Sequence, residues 1–307
     1  MTFLSLLIAL VLEQAWPSRF AAPVREGFLL YARSLRDKLD GGARRHGAIA
    51  WIAAVPLVAV LTAIAGHALD KLGPLAGLLW SVAVLYLTIG FRQFSTHFTN
   101  IQKALRAGDL ASARDRLGAW LGEPARPLGN GEVARVAIEQ GLVASHRNVF
   151  GPLAWFVVLG PAGAVLYRAS ALLAEAWPPG SGPEAGAFGR FAARAFYWID
   201  WLPARLTAAC FAIVGDFEDA VYCWRTQAAA WATPSNGVVL AAGGGALGVR
   251  LGDALRRADD SVEYRPELGI GDEPDADFME SAVGLIWRTL VVVMFVILVV
   301  SFARALG

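Results

Sequence analysis

The chain has 307 residues, of which 56% are hydrophobic and 17% charged, and its 27 Lys and Arg against 26 Asp and Glu leave a formal net charge of +1. A charged share well under the roughly 25% of soluble domains, together with 11 Trp and 16 Phe, excludes a disordered chain; the near-neutral balance excludes a nucleic-acid binder working through bulk positive charge. A bilayer is the simplest solvent for such a composition. Cys210 and Cys223 are too few for a disulfide framework or a cysteine-rich metal site, and His46, His67, His97 and His146 lack ligand spacing, so no intrinsic metal site is expected.

Residues 2–16 form a short apolar run containing Glu13. No Lys or Arg precedes it and no small-x-small pattern follows, so it reads as a retained membrane element, either a tilted span or an interfacial helix, rather than a signal peptide. A hydrocarbon core about 30 Å thick needs roughly 20 apolar helical residues. Residues 48–66, 74–91, 149–173 and 284–302 meet or nearly meet that length, and 196–215 is a less regular further segment. With the N-terminal run, six membrane-associated segments are expected.

Orientation follows the Lys and Arg beside the spans. Residues 18–47 carry Arg19, Arg25, Arg33, Arg36, Lys38, Arg44 and Arg45, and residues 92–147 are also basic, whereas 67–73 hold only Lys71 and 174–189 hold no Lys or Arg. The basic loops are therefore expected in the cytoplasm. The whole chain, 1–307, reads as a single membrane domain with a cytoplasmic helical insertion at 92–147 and a cytoplasmic glycine-rich and acidic loop region at 216–283. The fold class is predominantly α: a polytopic integral membrane protein with interrupted helices and cytoplasmic helical loops.

Within the first insertion, Ala113, Leu117 and Trp120 or Leu121 share one face of an amphipathic helix. A second helix begins near Asn130, which is placed to cap it, with Val133, Ala137 or Ile138, and Leu142 as its apolar stripe. Glu139, His146 and Arg147 are its chemical candidates; Glu139 and His146 lie about two turns apart, and the set suits either local ion pairing or capping, or anion or substrate binding. In GPLAWFVVLGPAGAVLYR, the Gly160, Pro161 and Gly163 cluster predicts a break. Arg168 then either snorkels or serves an anion site beside broken helix.

The stretch WIDWLPARL places Asp200 and Arg205 around Pro203, predicting another disruption. The following SNGVVLAAGGGALGVRLGDALRR reads as a loop whose exposed amides could bind an anion, although it lacks the residues of a P-loop; Asn236 and Arg250 are its candidate contacts. YRPELGIGDEPDADFM reads as an interrupted loop with solvated acids. Arg168, Arg205 and Arg250 are expected to converge on one cytoplasm-accessible cleft for an anionic small molecule. Trp51, Trp80 and Trp287 suit a homodimer face or contact with membrane lipids equally.

In order along the chain, LLIALVLEQAWP, FGPLAWFVVLGPAGAVLYRAS, FGRFAARAFYWIDWLPARLTA and GALGVRLGD resemble the CobD/CbiB family of membrane proteins, over most of residues 1–302. The resemblance implies either of two functions. Biosynthetic members are adenosylcobinamide-phosphate synthases, which join a cobyric-acid carboxylate to an aminopropanol component and would require ATP and Mg²⁺. The AmpE branch, associated with regulation of β-lactamase induction, is similar through IDWLPARL.

Compared with the biosynthetic pattern, an acidic AEN motif and later aspartate become Leu142, Val143, Ala144 and Arg147, an LDS becomes Leu173, Ala174 and Glu175, and paired aspartates become Phe196 and Tyr197. That apparent loss of carboxylates favours an AmpE-like accessory or regulatory protein of the bacterial inner membrane, multi-pass and without a cofactor. The alternative is a divergent synthase with a cleft of Glu139, Arg168, Arg205, Asn236 and Arg250. A transporter or lipid-binding protein is the second alternative.

Overall fold

The computed structural model describes residues 2–16, 21–41, 44–178, 186–257, 259 and 261–306. Arg19, counted among the basic residues of the expected cytoplasmic loops, lies outside them. The chain is predominantly helical, and its contacts divide it into two compact units: Met1–Gly90 with Arg147–Pro203 and Ile297–Gly307, and Phe91–His146 with Ala204–Val296.

The first unit begins with α1 (Thr2–Ala15), α2 (Ala21–Leu39), α3 (Arg44–Leu72) and α4 (Pro74–Thr88). Ala32, Ala50, Ala54, Val55, Ala169, Leu173, Trp177, Phe188 and Ala192 form one of its cores. The alanines let backbones approach, and the space left over takes Trp177, whose indole N–H donates to Ala32 O at 3.2 Å. Gly73, at φ 142°, turns the chain between α3 and α4.

Among the described residues, three helical stretches are long and apolar enough to cross a membrane: Arg45–Leu72, Asn130–Leu159 and Ala276–Ala303. In the first and last, only 22% and 28% of the most apolar window is buried. Ile49, Ile52, Val60, Leu61 and Ile64 on one, and Val291, Phe295 and Val299 on the other, face outward. Apolar helices exposed in this way find their solvent in lipid, which makes this a membrane protein.

Several sequence expectations shift. The expected span at 149–173 is divided into α8 (Gly151–Leu159) and α9 (Pro161–Ala176). Gly160, at φ 62°, ends one helix, and Pro161 starts the next where its missing N–H costs nothing. The long apolar stretch instead joins α7 (Asn130–Ser145), a π-helical turn (His146–Phe150) and α8. The expected second span is α4, only 15 residues long.

No disruption occurs at Pro203, because α10 (Ala187–Val214) runs through it. Proline there denies a hydrogen bond to the carbonyl four residues earlier, that of Ile199. The Trp155 indole N–H donates to that same carbonyl at 3.0 Å, so the orphaned acceptor is satisfied.

The second unit contains α5 (Phe91–Arg106), α6 (Leu110–Leu121), α7, α11 (Phe217–Gln227), α12 (Pro234–Leu247) and most of α13 (Ala276–Leu306). Asp109 caps α6 through the Ser112 N–H at 3.0 Å, and Gly122, at φ 79°, ends it. Asn130 does not cap α7: Gly129 is the cap residue, and its N–H donates to Glu132 at 2.7 Å.

The glycine-rich stretch read as a loop is helix α12, buried almost all round. A Cβ on Gly245 would lie 2.5 Å from Asp219 O, and one on Gly244 would lie 2.9 Å from Gly269 Cα. Glycine thus serves close backbone packing rather than amide exposure. The GGG amides belong to the helix ladder, which removes the anion-binding reading of that run.

After α12 the chain is tied down by short pairings: Val249 with Asp272, Leu251 with Leu268, and β1 (Leu255–Arg256) antiparallel to β2 (Val262–Glu263). Gln227 completes this fastening, accepting from Gly269 N at 2.7 Å and donating to Gly269 O at 3.0 Å. Asp275, expected among solvated acids, caps α13 through the amides of Asp277 and Phe278.

Candidate functional site

Each unit carries its own polar constellation. In the second, α7 presents Arg135 and Glu139 one turn apart on one face. Glu139 Oε2 lies 2.7 Å from Arg265 Nη1, and its Oε1 accepts the Gly252 N–H at 2.7 Å. Arg265 is almost fully employed: Nη2 donates to Gly252 O at 3.0 Å, Nε donates to Asp253 O at 3.1 Å, and the guanidinium lies 5.6 Å from the Trp231 ring centroid.

This lock holds a turn in which Gly252 has φ 77° and Asp253 has φ 64°, the one non-glycine residue with positive φ among those described. A backbone conformation of that kind persists only where its surroundings impose it. Arg135 Nη2 donates to Ala254 O at 2.9 Å and Nη1 to Asp253 Oδ2 at 3.3 Å. The Asp253 side chain is still 58% exposed, so the network ends in a held carboxylate with room for another partner.

In the first unit, the π-helical turn carries Arg147 and Asn148. Arg168 Nη1 donates to Asn148 Oδ1 at 2.6 Å, Arg147 Nη1 pairs with Glu175 Oε1 at 3.3 Å, and the Arg147 guanidinium lies 5.8 Å from the Phe196 ring centroid. Beneath them the buried Tyr167 hydroxyl donates to the buried Asp200 carboxylate at 2.7 Å. A π turn widens the helix and re-aims its side chains, a geometry common at functional sites. Two arginines and two carboxylates on apolar helices are costly unless they pair as these do.

The six sequence-predicted residues are distributed as follows. Glu139 is a buried ion-pair partner, and His146 is buried with Nδ1 2.9 Å from Thr207 Oγ1. Arg168 is half-buried in the first unit. Arg205 is half-buried on α10, Asn236 is half-buried in the first turn of α12, and Arg250 is exposed, 3.5 Å from Glu273 Oε1. Asp200 takes Tyr167 as a partner. Arg265, Arg135 and Asp253 are not among the six sequence-predicted residues; the paired glycine and aspartate ending GALGVRLGD are the available signal for Asp253 alone. Among the described residues, no three His, Cys, Asp or Glu are grouped to hold a metal ion.

Comparisons with known proteins bear on the whole chain. The family model described as CobD/Cbib protein matches residues 4–286. A protein of Stutzerimonas stutzeri named Cobalamin biosynthesis protein CobD is 36% identical over 303 residues, covering 96% of this chain and 97% of its own. Proteins of the same name from Chromobacterium violaceum and Mycobacterium tuberculosis are 41% identical over 237 residues and 31% identical over 257 residues, covering 77% and 81% of this chain and 75% and 80% of their own.

No solved structure matches. The relatives' names overturn the expected AmpE-like regulatory role, since they stand for cobalamin biosynthesis over 96% and 77% of this chain. Substituted acidic positions were read as lost chemistry, whereas Arg147 and Glu175 pair with one another. From Leu4 through the start of α13, the chain belongs to the CobD/CbiB family.

Proposed function

We propose that the chain is a cobalamin-biosynthesis enzyme of the bacterial inner membrane, multi-pass, which joins a corrinoid carboxylate to an aminopropanol component by ATP-dependent amide formation. The observation that carries this reading is the match, across 96% of the chain and 97% of the relative, to a protein named for cobalamin biosynthesis. A carboxylate oxygen is a poor leaving group, so amide formation needs a nucleotide to activate it and cations to compensate phosphate charge. Arg147 and Arg168, held in place by Glu175 and Asn148, supply oriented guanidinium groups for that purpose.

The described residues offer the exposed Glu175 carboxylate beside Arg147 and no three-donor cluster. That donor set fits a magnesium ion arriving on nucleotide phosphates and taking one or two protein oxygens. The test is reconstitution of the intact chain with ATP, Mg²⁺, adenosylcobyric acid and aminopropanol or its phosphate. Amide product dependent on ATP is expected. A folded protein that forms none, and binds neither nucleotide nor corrinoid, overturns the proposal; solute flux in liposomes would then favour a transporter.

A further inference from the structure

Three elements of the first unit each bring an arginine to one place. Arg147 stands on the π turn, Arg168 on α9, and Arg25 on α2, which packs along α9 through Ala32, Ala169 and Leu173. Arg25 precedes Ala32 by about two turns on the same face of α2, and Arg168 precedes Trp177 by about two and a half turns of α9. The Trp177 indole ties one end of this packing to Ala32 O. At the other end Arg168 meets charge repulsion from both Arg25 and Arg147.

The acceptors at this place fall short of the donors. Glu175 faces Arg147, and the buried Asp200 carboxylate takes the Tyr167 hydroxyl. Half-buried Arg168 has one hydrogen-bond acceptor among the described residues, the neutral Asn148 Oδ1, which leaves its Nε and Nη2 donors unmet. Arg25 is exposed and makes no hydrogen bond or ion pair among the described residues; Glu26 lies about 100° round α2 from it. Three guanidiniums against two carboxylates leave positive charge in excess, and gathering like charges on apolar helices is costly unless an anion joins them.

We propose that Arg25, Arg147 and Arg168 form a phosphoryl-binding site of the first unit, to which α2 contributes the third guanidinium. A carboxylate is planar and its two oxygens serve one guanidinium fork. Cations arriving from three separate elements suit a phosphate instead, whose tetrahedral oxygens can be met from several directions. This deepens the reading of the chain as an ATP-dependent amide-forming enzyme and rests on it for the ligand's source, which is either the nucleotide or a phosphorylated aminopropanol.

The experiment titrates inorganic phosphate, ATP, aminopropanol phosphate and phosphatidylglycerol separately into the intact chain in mild detergent, following binding by calorimetry and by the shift in thermal midpoint. Arg25→Gln is expected to weaken the phosphorylated ligand by about tenfold, as for loss of one hydrogen bond to a charged group. Without ligand its midpoint should hold or rise, since no bond of the folded chain is lost and repulsion of Arg168 is relieved. Arg25→Lys should recover part of the affinity through its charge. Arg168→Lys keeps the charge but loses the fork, and should weaken the same ligand comparably.

An effect on ATP alone assigns the site to the nucleotide, and an effect on aminopropanol phosphate alone assigns it to the amine substrate. Binding of every probe that is unchanged in Arg25→Gln overturns the three-arginine site, and a response confined to phosphatidylglycerol overturns it in favour of a lipid contact. Amide formation with unaltered KM values in Arg25→Gln would sink the site but not the enzyme. Phosphate binding that responds to the variants without any amide formation would sink the enzyme but not the site.

Discussion

Glu139 and Arg265, 126 positions apart in sequence, meet at 2.7 Å with side chains only 8% and 13% exposed. Removing one partner of such a pair strands a buried charge, at a cost of about 3 to 5 kcal/mol. Arg265→Met should therefore lower the unfolding midpoint sharply. Glu139→Gln with Arg265→Met should recover much of the loss. A double variant as unstable as the sum of both singles would show that the two groups act independently.

The turn held by this pair makes a separate prediction. Asp253, at φ 64°, tolerates its left-handed backbone better as Asn or Gly than as Ala. Asp253→Ala should cost about 1 kcal/mol more than Asp253→Asn in thermal or chemical unfolding. Equal stability of the two would mean that the Arg135 contact, rather than backbone conformation, sets the energetics.

Tyr167→Phe removes the hydroxyl that donates to buried Asp200 at 2.7 Å. Withdrawing one donor from a buried carboxylate costs about 1 to 3 kcal/mol. Asp200→Asn introduced together with Tyr167→Phe should cost less than it does in the parent chain. Differential scanning fluorimetry on the parent, both single variants and the double variant measures the coupling directly.

Much of this was legible locally and some was not. Gly160 followed by Pro161 announces its break, because positive φ and a missing N–H are properties of the two residues themselves. Pro203 looks equally disruptive, yet its consequence is decided by Trp155, whose indole donates to Ile199 from 44 residues away. The GGG run of α12 has loop-like composition, and only the backbone of α11 against it explains a helix. Arg265 has no distinguishing neighbours in sequence; burial against Glu139 alone singles it out.

The functional reading erred for a related reason. Position by position against the family pattern, Arg147 stands where an acid is expected. In the fold it faces Glu175, so an ion pair exists there with charges distributed in a way that one position cannot reveal.

Acid stability should register the α6 cap. The Ser112 hydroxyl and amide hold the Asp109 carboxyl below its ordinary value of 3.8. A depressed folded value means that the stabilisation is present above the ordinary value and disappears as pH falls through the lower folded one. Amide exchange in α6 should accelerate below about pH 4, and Asp109→Asn should reduce that pH dependence. A pH profile unchanged by the substitution would remove Asp109 from the account.

Gly245→Ala places a methyl 2.5 Å from Asp219 O and 2.8 Å from Ala220 Cα. Overpacking of this kind costs about 1 to 3 kcal/mol, so the variant should unfold earlier than a Gly284→Ala control, whose new methyl meets nothing within 4 Å. Matching midpoints would show that α11 and α12 can separate freely.

The α11 and α12 contact also constrains how this protein can diverge. Where two side chains meet, a larger residue on one helix can be accommodated over generations by a smaller one opposite. Here the obstacles to Gly245 are the main-chain oxygen of Asp219 and the Cα of Ala220, atoms that every amino acid carries. No exchange of residue at those two positions makes room, so second-site suppressors of a Gly245 substitution should arise in the segments that set helix spacing.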